Sequence, residues 1–279
     1  TAEQTSYMWL YTTGSDALTP IVLYDYQPSC KGSCAQNFIE GFRGLVQCDG
    51  YQGYNKLEDV ILVCCLAHAR RKFFEAVPAA RRKRLKLLDI NSDEAIEDIS
   101  LPDEEEAKQL LPAEIGLLYC NKLFYLERTL KDLNPEERKQ QRDVLEQPVW
   151  DQFWNWLDTL HPTGGSKLGK AVNYAQNHHD TLMNYLLDGR CEISINRAER
   201  KAKSYAIGRK AFLFHTSETG AGASAVMYSI VETAKANNLN IFQYLYTVLL
   251  YMPDYMNSSA GIEQLMPWSE FIKDRKSVV

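Results

Sequence analysis

Two acidic residues lie in local sequences that could carry metal-assisted chemistry. Asp49 follows the short apolar segment GLVQC and precedes Gly50. Glu199 lies in the basic segment NRAER. A carboxylate at the end of an apolar strand, with a second carboxylate on a basic helix, is what metal-assisted phosphoryl transfer on nucleic acid requires. The pair therefore points to chemistry on a nucleic acid.

Each acid also has a purely structural interpretation. Asp49-Gly50 is a common tight-turn dipeptide and is compatible with a simple hairpin turn. Asn196-x-x-Glu199 matches a capping box, in which the glutamate bonds back to the backbone of the cap. The functional interpretation gains weight from six arginines and lysines within residues 197–210, because such clustering favours a bound anion such as phosphate.

A second basic cluster precedes a strongly acidic stretch. Residues 68–86 contain eight arginines and lysines against one acid, and residues 89–106 contain nine acids and no base. The net charge of -5 hides this separation, which would steer a polyanion. Phosphate contacts and a solvated helix face remain two open interpretations for its first members, His68, Arg70, Arg71 and Lys72.

The elements that must position these residues follow an α/β pattern. The first part of the chain predicts a hairpin over 7–13 and 20–26, a helix over 33–41, strands over 45–48 and 60–66, and a helix over 67–77. The alternation of strand and helix implies a sheet with parallel members.

The middle of the chain, about 79–189, is mainly helical in pattern. Trp150, Phe153, Trp154 and Leu157 form one apolar helix face, Asn134 starts a helix, and 162–166 form a loop. Beyond this block the sequence predicts an extended stretch at 192–195, a helix from Asn196 toward Ile207, a strand at 211–214, and helices over 226–237 and 241–252.

Other motifs support weaker interpretations. The segment GAGASA at 220–225 matches the outline of a dinucleotide-binding turn, but the acid expected about 20 residues later is missing, which favours a glycine-rich turn before a helix.

His178-His179 and the Cys30/Cys34 pair lack the partners of a metal site. Seven irregularly spaced cysteines indicate a reduced, cytosolic chain. We expect no membrane span and no signal peptide.

Six segments together resemble the insertion sequence 66 family of bacterial transposases over nearly the whole chain. They are DGYQGYN (49–55), LAHARRKF (66–73), NRAER (196–200), IGRK (207–210), YSxxETAK (228–235) and LMPW (265–268). The resemblance implies a ribonuclease-H-like mixed sheet flanked by helices, with a mainly helical insertion. It also implies an Asp-Asp-Glu metal triad, with Asp49 as the second acid and Glu199 as the third.

The family's first acid is expected upstream of Thr1, so the chain taken alone is expected to be inactive. Asp25 does not match the motif of that acid. The predicted organisation is a core over 1–78 and 190–252, a helical insertion over 79–189 and a carboxy-terminal tail over 253–279.

The expected function is metal-dependent phosphodiester cleavage and strand transfer at transposon ends, with two Mg²⁺ or Mn²⁺ ions. Expected partners are double-stranded DNA, both transposon ends and target, and further copies of the protein on DNA. The expected location is the bacterial cytoplasm, at the nucleoid. Predicted phosphate contacts are His68, Arg70, Arg71, Lys72, Arg200, Arg209 and Lys210. The alternatives are a non-catalytic DNA-binding fragment and a dinucleotide-binding protein.

Overall fold

The computed structural model describes residues 5–82, 100–255 and 261–275. Part of the predicted charge alternation, residues 83–86 and 89–98, lies outside these ranges. The strands are β1 (Tyr7–Thr12), β2 (Val22–Gln27), β3 (Gly44–Cys48) and β4 (Val60–Cys64). The α-helices are α1 (Gly32–Phe38), α2 (Leu66–Ala76), α3 (Ala79–Arg82), α4 (Glu104–Gln109), α5 (Pro112–Thr129), α6 (Pro135–Leu145), α7 (Gln147–Asp158), α8 (Lys167–Asn177), α9 (His179–Met183), α10 (Asn196–Phe212), α11 (Glu218–Ala236), α12 (Ile241–Tyr251) and α13 (Glu270–Lys273).

Both predicted kinds of strand pairing are present, and the α/β class is confirmed. β1 and β2 form the predicted antiparallel hairpin, with Tyr7 opposite Gln27 and Thr12 opposite Val22. β3 and β4 pair in parallel, as the alternation of strand and helix predicts. Within the described ranges these are two separate two-stranded sheets. Short 3-10 helices at Gln52–Lys56, Asn184–Leu187, Met252–Tyr255 and Ile262–Leu265 complete the secondary structure.

The chain divides into two compact units, and each is described by itself. Unit 1 consists of Thr1–Cys34 and Asn196–Val279, and unit 2 consists of Ala35–Ile195. Unit 1 therefore contains the hairpin and the helices from α10 onward. Unit 2 contains the parallel pair and the helical block that follows it.

In unit 1, helix α11 packs on the hairpin and bonds to the backbone of β2. Thr233 Oγ1 accepts from the N–H of Val22 (3.0 Å) and donates to its carbonyl (2.9 Å). One turn earlier, Ser229 Oγ accepts from the N–H of Tyr24 (2.8 Å). Residues four apart lie on the same face of a helix, so this spacing lets α11 take the place of a neighbouring strand at these two positions.

The core of unit 2 is built from α2, α5, α7 and α8 around large apolar side chains. Phe73, Trp150 and Leu157 are fully buried, and Phe153 packs edge-on against Phe73 and Trp150. The predicted apolar face of α7 is therefore confirmed, with Trp154 only partly buried. Burial of side chains this large stabilises a fold by roughly 1.5–3 kcal/mol each.

Arg142, on α6, is a fully buried cation in unit 2. Its Nε donates to Glu127 Oε1 (2.6 Å) on α5. Its terminal nitrogens donate to three backbone carbonyls, those of Tyr185 (2.8 Å), Asp188 (2.9 Å) and Cys191 (2.6 Å). A single side chain thus bonds to three carbonyls of the segment 185–191, of which that of Asp188 also accepts from the N–H of Cys191 (3.0 Å).

The pKa values of the two buried glutamates beside Arg142 shift in opposite directions. Burial and the neighbouring Glu127 raise the pKa of Glu146 well above its ordinary value. Burial would also raise the pKa of Glu127, but the hydrogen bond and positive charge of Arg142 outweigh it, so Glu127 stays ionised. Tyr185 donates its hydroxyl proton to Glu146. The network therefore contains a buried ion pair next to a second buried carboxyl group, which is bonded to Tyr185.

Several predicted boundaries of the helical block are confirmed by capping contacts. Asn134 Oδ1 accepts from the N–H of Glu137 (3.0 Å), which caps α6 where Asn-Pro-Glu-Glu predicts a start. Ser166 caps α8 through the N–H of Gly169 (2.9 Å), at the end of the predicted 162–166 loop.

The predicted strand at 211–214 is wrong. Residues 211 and 212 are the last residues of α10, and Leu213 follows in the left-handed region with φ 62°. Its N–H bonds to the carbonyl of Arg209 (2.7 Å), which is a helix-ending geometry. The apolar sequence AFLF is typical of a buried strand. Here, however, Leu213 and Phe214 are both about two-thirds exposed (64% and 65%).

The glycine-rich segment 220–225 is neither a dinucleotide-binding turn nor a loop. Helix α11 starts at Glu218, eight residues before the predicted start at Val226, and includes the whole segment. Ser217 caps it by accepting from the N–H of Gly220 (3.0 Å). A dinucleotide fingerprint needs a strand that turns into a helix at its glycines, and here those glycines are helical.

We expect Arg142→Met to destabilise unit 2 by about 3–5 kcal/mol, because the change leaves an ionised Glu127 and three carbonyls buried without this donor. Denaturant unfolding followed by tryptophan fluorescence would measure it, since Trp150 lies in the same core. The matched control is Gln141→Ala, an exposed neighbour on α6, which should cost under about 0.5 kcal/mol. A loss below about 1 kcal/mol for Arg142→Met would show that the carbonyl contacts are dispensable.

Candidate active site

Asp49 directly follows β3, at the edge where the carboxyl ends of β3 and β4 lie side by side. Its Oδ1 accepts a hydrogen bond from the N–H of Tyr51 (3.0 Å) and so forms a local turn around Gly50. Because β3 and β4 are parallel, this turn does not belong to a hairpin, and the hairpin interpretation of Asp-Gly is wrong. The side chain is half-buried.

Four polar groups around Asp49 are held in their neutral forms. Burial raises the pKa of the Cys48 and Cys64 thiols, and the negative charge of Asp49 adds to the effect. Burial and the same charge raise the pKa of the Tyr54 and Tyr174 hydroxyls. A thiol binds a metal as its thiolate, so at neutral pH the carboxylate offers the better metal ligand here.

Glu199 lies in the first turn of α10, which begins at Asn196. Its side chain is half-buried, and no residue of α10 is fully buried. An acid in this position interacts favourably with the amino-terminal end of the helix dipole, whatever else it does. The position therefore suits both the structural and the functional interpretation.

Three contacts within unit 1 hold α10. The hydroxyl of Tyr24 on β2 donates to the carbonyl of Lys201 (2.6 Å). Lys201 Nζ lies 3.1 Å from a carboxylate oxygen of Glu232, a buried residue of α11. The guanidinium of Arg197 donates to the carbonyl of Thr13. Two of the cations around Glu199, Arg197 and Lys201, are therefore bonded to other residues of unit 1.

The glycine of the IGRK segment is explained by close packing within unit 1. A Cβ on Gly208 would lie 1.9 Å from the hydroxyl oxygen of Tyr228 on α11. The Tyr228 ring is packed against the rings of Tyr24 (5.6 Å between centroids) and Tyr205 (5.0 Å). The glycine thus lets α10 and α11 approach closely.

The three basic residues predicted on α10 are exposed to solvent. They are Arg200, Arg209 and Lys210. The residues predicted on α2 are more varied: Arg71 is exposed, and His68 is half-buried. Phosphate contact by these residues stays a prediction.

Two of the predicted phosphate-binding residues on α2 make contacts inside unit 2. Arg70 Nε donates to Oδ1 of Asn121 (2.6 Å), a buried residue of α5. Lys72 Nζ lies 4.8 Å from the centroid of the Tyr174 ring. Both side chains therefore have a part in packing α2 against the helical block.

The sequence-predicted residues divide between the units. Asp49 and the α2 group lie in unit 2, and Glu199 and the α10 group lie in unit 1, so the convergence of the two acids stays a prediction. Among residues 5–82, 100–255 and 261–275, no cluster of three or more His, Cys, Asp or Glu side chains is placed to hold a metal ion. His179 pairs with Asp180 (2.7 Å), and each of the seven cysteines is a thiol rather than half of a disulfide.

Sequence reasoning missed three residues that contact α10 or the Asp49 turn. Tyr24 and Glu232 support α10, and Tyr174 lies beside the Asp49 turn. Glu232 could have been found, because it belongs to the YSxxETAK segment that carries part of the family resemblance. No local pattern marks the other two, since their partners are more than 100 residues away in the chain.

Fold and site together define an α/β protein with one acid at the carboxyl end of a parallel strand pair and another in the first turn of a basic helix. The chain belongs to the Transposase IS66 family, whose model matches residues 1–223. The IS66 C-terminal element matches residues 229–268. The resemblance carried by the six sequence segments is therefore confirmed.

Three curated relatives come from Sinorhizobium fredii. Uncharacterized protein y4hP is 26% identical over 89% of this chain and 44% of its own length. Uncharacterized protein y4jD is 28% identical over 90% of this chain and 46% of its own length. Uncharacterized protein y4qI is 26% identical over 95% of this chain and 47% of its own length. The chain thus spans a little under half the length of these relatives.

No solved structure matches the chain. In the described part of the chain, every helix is too short or too polar to span a bilayer.

We expect Glu232→Gln to destabilise unit 1 by about 1–3 kcal/mol at pH 7, because it breaks the ion pairs of the buried Glu232 carboxylate with Lys201 (3.1 Å) and Lys235 (2.7 Å). Burial would raise the pKa of Glu232, but these two lysines outweigh it and lower the pKa below 4.5. The stabilisation is therefore complete above the ordinary pKa and is lost as the pH falls through the lowered one.

The measurement is the difference in unfolding free energy between wild type and variant as a function of pH. The difference should be constant near neutral pH and shrink below about pH 4. Glu218→Gln, at an exposed position in the first turn of the same helix, is the control and should show a much smaller difference. A difference for Glu232→Gln that persists unchanged at pH 2 would contradict the ion-pair explanation.

Proposed function

We propose that this chain is the catalytic part of a DNA transposase that cleaves phosphodiester bonds at transposon ends and transfers the strands to target DNA. Membership of the Transposase IS66 family supports it. The observation that carries the proposal is the position of Asp49 at the carboxyl end of a parallel strand pair. In open α/β sheets this edge is where ligands bind.

We propose the ribonuclease-H-like fold for the same molecule. A mixed sheet of that kind needs both antiparallel and parallel pairing, and the described strands supply one pair of each. The proposed core comprises residues 1–78 and 190–252, with 79–189 as the helical insertion and 253–279 as the tail.

The segment that ends at Ile195 is bonded to β3 and to the start of α2 within unit 2. Gln47, on β3, bonds to the backbone of Glu192 through both its amide nitrogen and its amide oxygen. Ile195 donates its N–H to Cys65 Sγ (3.4 Å) at the start of α2. The convergence of Glu199 on Asp49 is part of the proposal.

Asp49 and Glu199 are the residues proposed to hold two Mg²⁺ or Mn²⁺ ions. Carboxylate oxygens suit these hard cations, whereas the nearby thiols are protonated. The ions, when bound, supply activation of a water or DNA 3′-hydroxyl and neutralise charge on the phosphate under attack.

The protein's own part in the reaction is to position DNA and neutralise its charge. The exposed Arg200, Arg209, Lys210 and Arg71 are proposed to contact phosphates, which fixes the register of the duplex without reading its sequence. His68, Arg70 and Lys72 are proposed to do so at the edge of α2. The proposed partners are transposon-end and target DNA, bound by more than one copy of the protein.

We expect Asp49→Asn and Glu199→Gln each to reduce Mg²⁺-dependent cleavage of transposon-end DNA by the full-length protein more than about 100-fold. Loss of a residue that merely orients a ligand typically costs 10- to 100-fold, and loss of the ligand should cost more. The matched control is Asp25→Asn, a half-buried acid on β2 that bonds to Gln27 (2.8 Å), which should keep cleavage within about threefold.

The same assay separates catalysis from simple DNA binding. If Asp49→Asn retains cleavage, the metal site is elsewhere. If the wild-type protein binds DNA and never cleaves it with Mg²⁺ or Mn²⁺, and Glu199→Gln leaves that binding unchanged, the chain is a non-catalytic DNA-binding module.

We expect the triple variant Arg200→Ala, Arg209→Ala, Lys210→Ala to weaken binding of duplex DNA and to lower its salt dependence. Each lost phosphate contact should reduce the slope of log affinity against log salt by about 0.9. Fluorescence anisotropy at several salt concentrations would measure it. Lys131→Ala, an exposed lysine in unit 2, is the control and should leave the slope unchanged. Equal slopes for the triple variant and wild type would exclude α10 from the DNA interface.

A further inference from the structure

Tyr174, on α8 of the helical block, lies directly against the residue that follows Asp49. A Cβ placed on Gly50 would be 2.4 Å from the Tyr174 hydroxyl oxygen, 2.7 Å from Cε2 and 2.8 Å from Cζ. Real Cβ atoms do not approach other atoms this closely, so the ring occupies the space that any other residue at position 50 would need. The glycine is therefore required by Tyr174 rather than by an unusual backbone angle.

The Tyr174 ring is itself fixed from three elements of unit 2. Its hydroxyl lies 3.5 Å from Cys64 Sγ, at the end of β4. Lys72 Nζ, on α2, lies 4.8 Å from the ring centroid. The ring of His178, just after α8, stacks on it with centroids 4.3 Å apart. A ring held in this way is a rigid surface for the Asp49 turn to pack on.

The turn beneath this ring is short. Asp49 Oδ1 accepts from the N–H of Tyr51 (3.0 Å), so Gly50 is the middle residue of the turn that orients the carboxylate. Displacement of Gly50 would therefore rotate the Asp49 side chain or break its bond to Tyr51. Because glycine has the most freely rotating backbone, Gly50 is the residue through which the direction of the Asp49 carboxylate can change most easily. The contact with Tyr174 restrains this residue.

We propose that Tyr174 is a positioning residue for Asp49, through which the helical block sets the direction of a metal-binding carboxylate. This inference rests on the proposed function. Lys72 then has a role besides the proposed phosphate contact, because its ammonium group holds the Tyr174 ring in place. The helical block also has a direct part in the reaction, because its helix α8 contacts the turn of the catalytic acid.

The test measures Mn²⁺ affinity of the protein by electron paramagnetic resonance, together with kcat and KM for DNA cleavage by the full-length protein. Tyr174→Ala should weaken Mn²⁺ binding and lower kcat by about 10- to 100-fold, with KM for DNA within about threefold of wild type. Tyr174→Phe keeps the ring that covers Gly50, so it should stay within about threefold of wild type in all three quantities. A purely structural role would not separate kcat from KM in this way.

A double-mutant cycle with Gly50→Ala tests the contact itself. Gly50→Ala alone should weaken Mn²⁺ binding at least about 10-fold, because the methyl group collides with the ring. In Gly50→Ala with Tyr174→Ala the collision is gone, so the double variant should bind Mn²⁺ no more weakly than either single variant. Gly222→Ala, where a Cβ has no neighbour within 4 Å, is the control and should change nothing measured here.

The outcomes distinguish this inference from the proposed function. If Asp49→Asn abolishes Mn²⁺ binding but Tyr174→Ala binds and cleaves like wild type, the positioning role is wrong and the proposed function stands. Fold-changes of the two single variants that multiply in the double variant would also overturn the positioning role. If Asp49→Asn itself leaves Mn²⁺ binding unchanged, the proposed function fails and this inference fails with it.

Discussion

Backbone hydrogen bonding by side chains is the interaction on which most of this structure depends. In the described residues the strands pair only two at a time, so backbone groups at the strand edges and in the connecting segments need other partners. Thr233 and Ser229 bond to β2 in unit 1. Arg142 bonds to the 185–191 segment in unit 2, and Asn184 donates to the carbonyl of Leu62 (2.8 Å) on β4. An unsatisfied buried group of this kind would cost roughly 1–3 kcal/mol.

Side-chain hydrogen bonds also hold the backbone of residues 185–195, the segment that precedes helix α10. Arg142 fixes residues 185–191, and Gln47 and the start of α2 then bond to residues 192–195. Helix α10 begins at the next residue. Because every bond in this series belongs to a side chain or to a helix end, the path depends on residue identity rather than on strand pairing. Loss of Arg142 should therefore disturb the course of the chain as well as the packing of the core.

The sequence predicts the elements that local patterns determine and fails where the determinants are distant. The hairpin, the parallel pair and the apolar face of α7 follow from periodicity, and the structure confirms them. The predicted strand at 211–214 is wrong because apolar residues occur both in strands and at exposed helix ends. The predicted start of α11 is too late because glycines usually end helices, whereas the cap at Ser217 outweighs their low helix propensity. No local sequence pattern predicts the role of Tyr174, because Gly50, which it contacts, is distant in the sequence.

The contacts of α10 also change how its charge should be interpreted. Clustered cations favour a bound anion, but part of the charge here is balanced within unit 1: Lys201 is paired with the buried carboxylate of Glu232, and Arg197 bonds to the carbonyl of Thr13. Those two residues hold the helix that carries Glu199. The exposed Arg200, Arg209 and Lys210 face solvent, where a polyanion can reach them. The basic helix therefore combines cations that are bonded within unit 1 with cations that are exposed to solvent, and phosphate contact is proposed only for the second group.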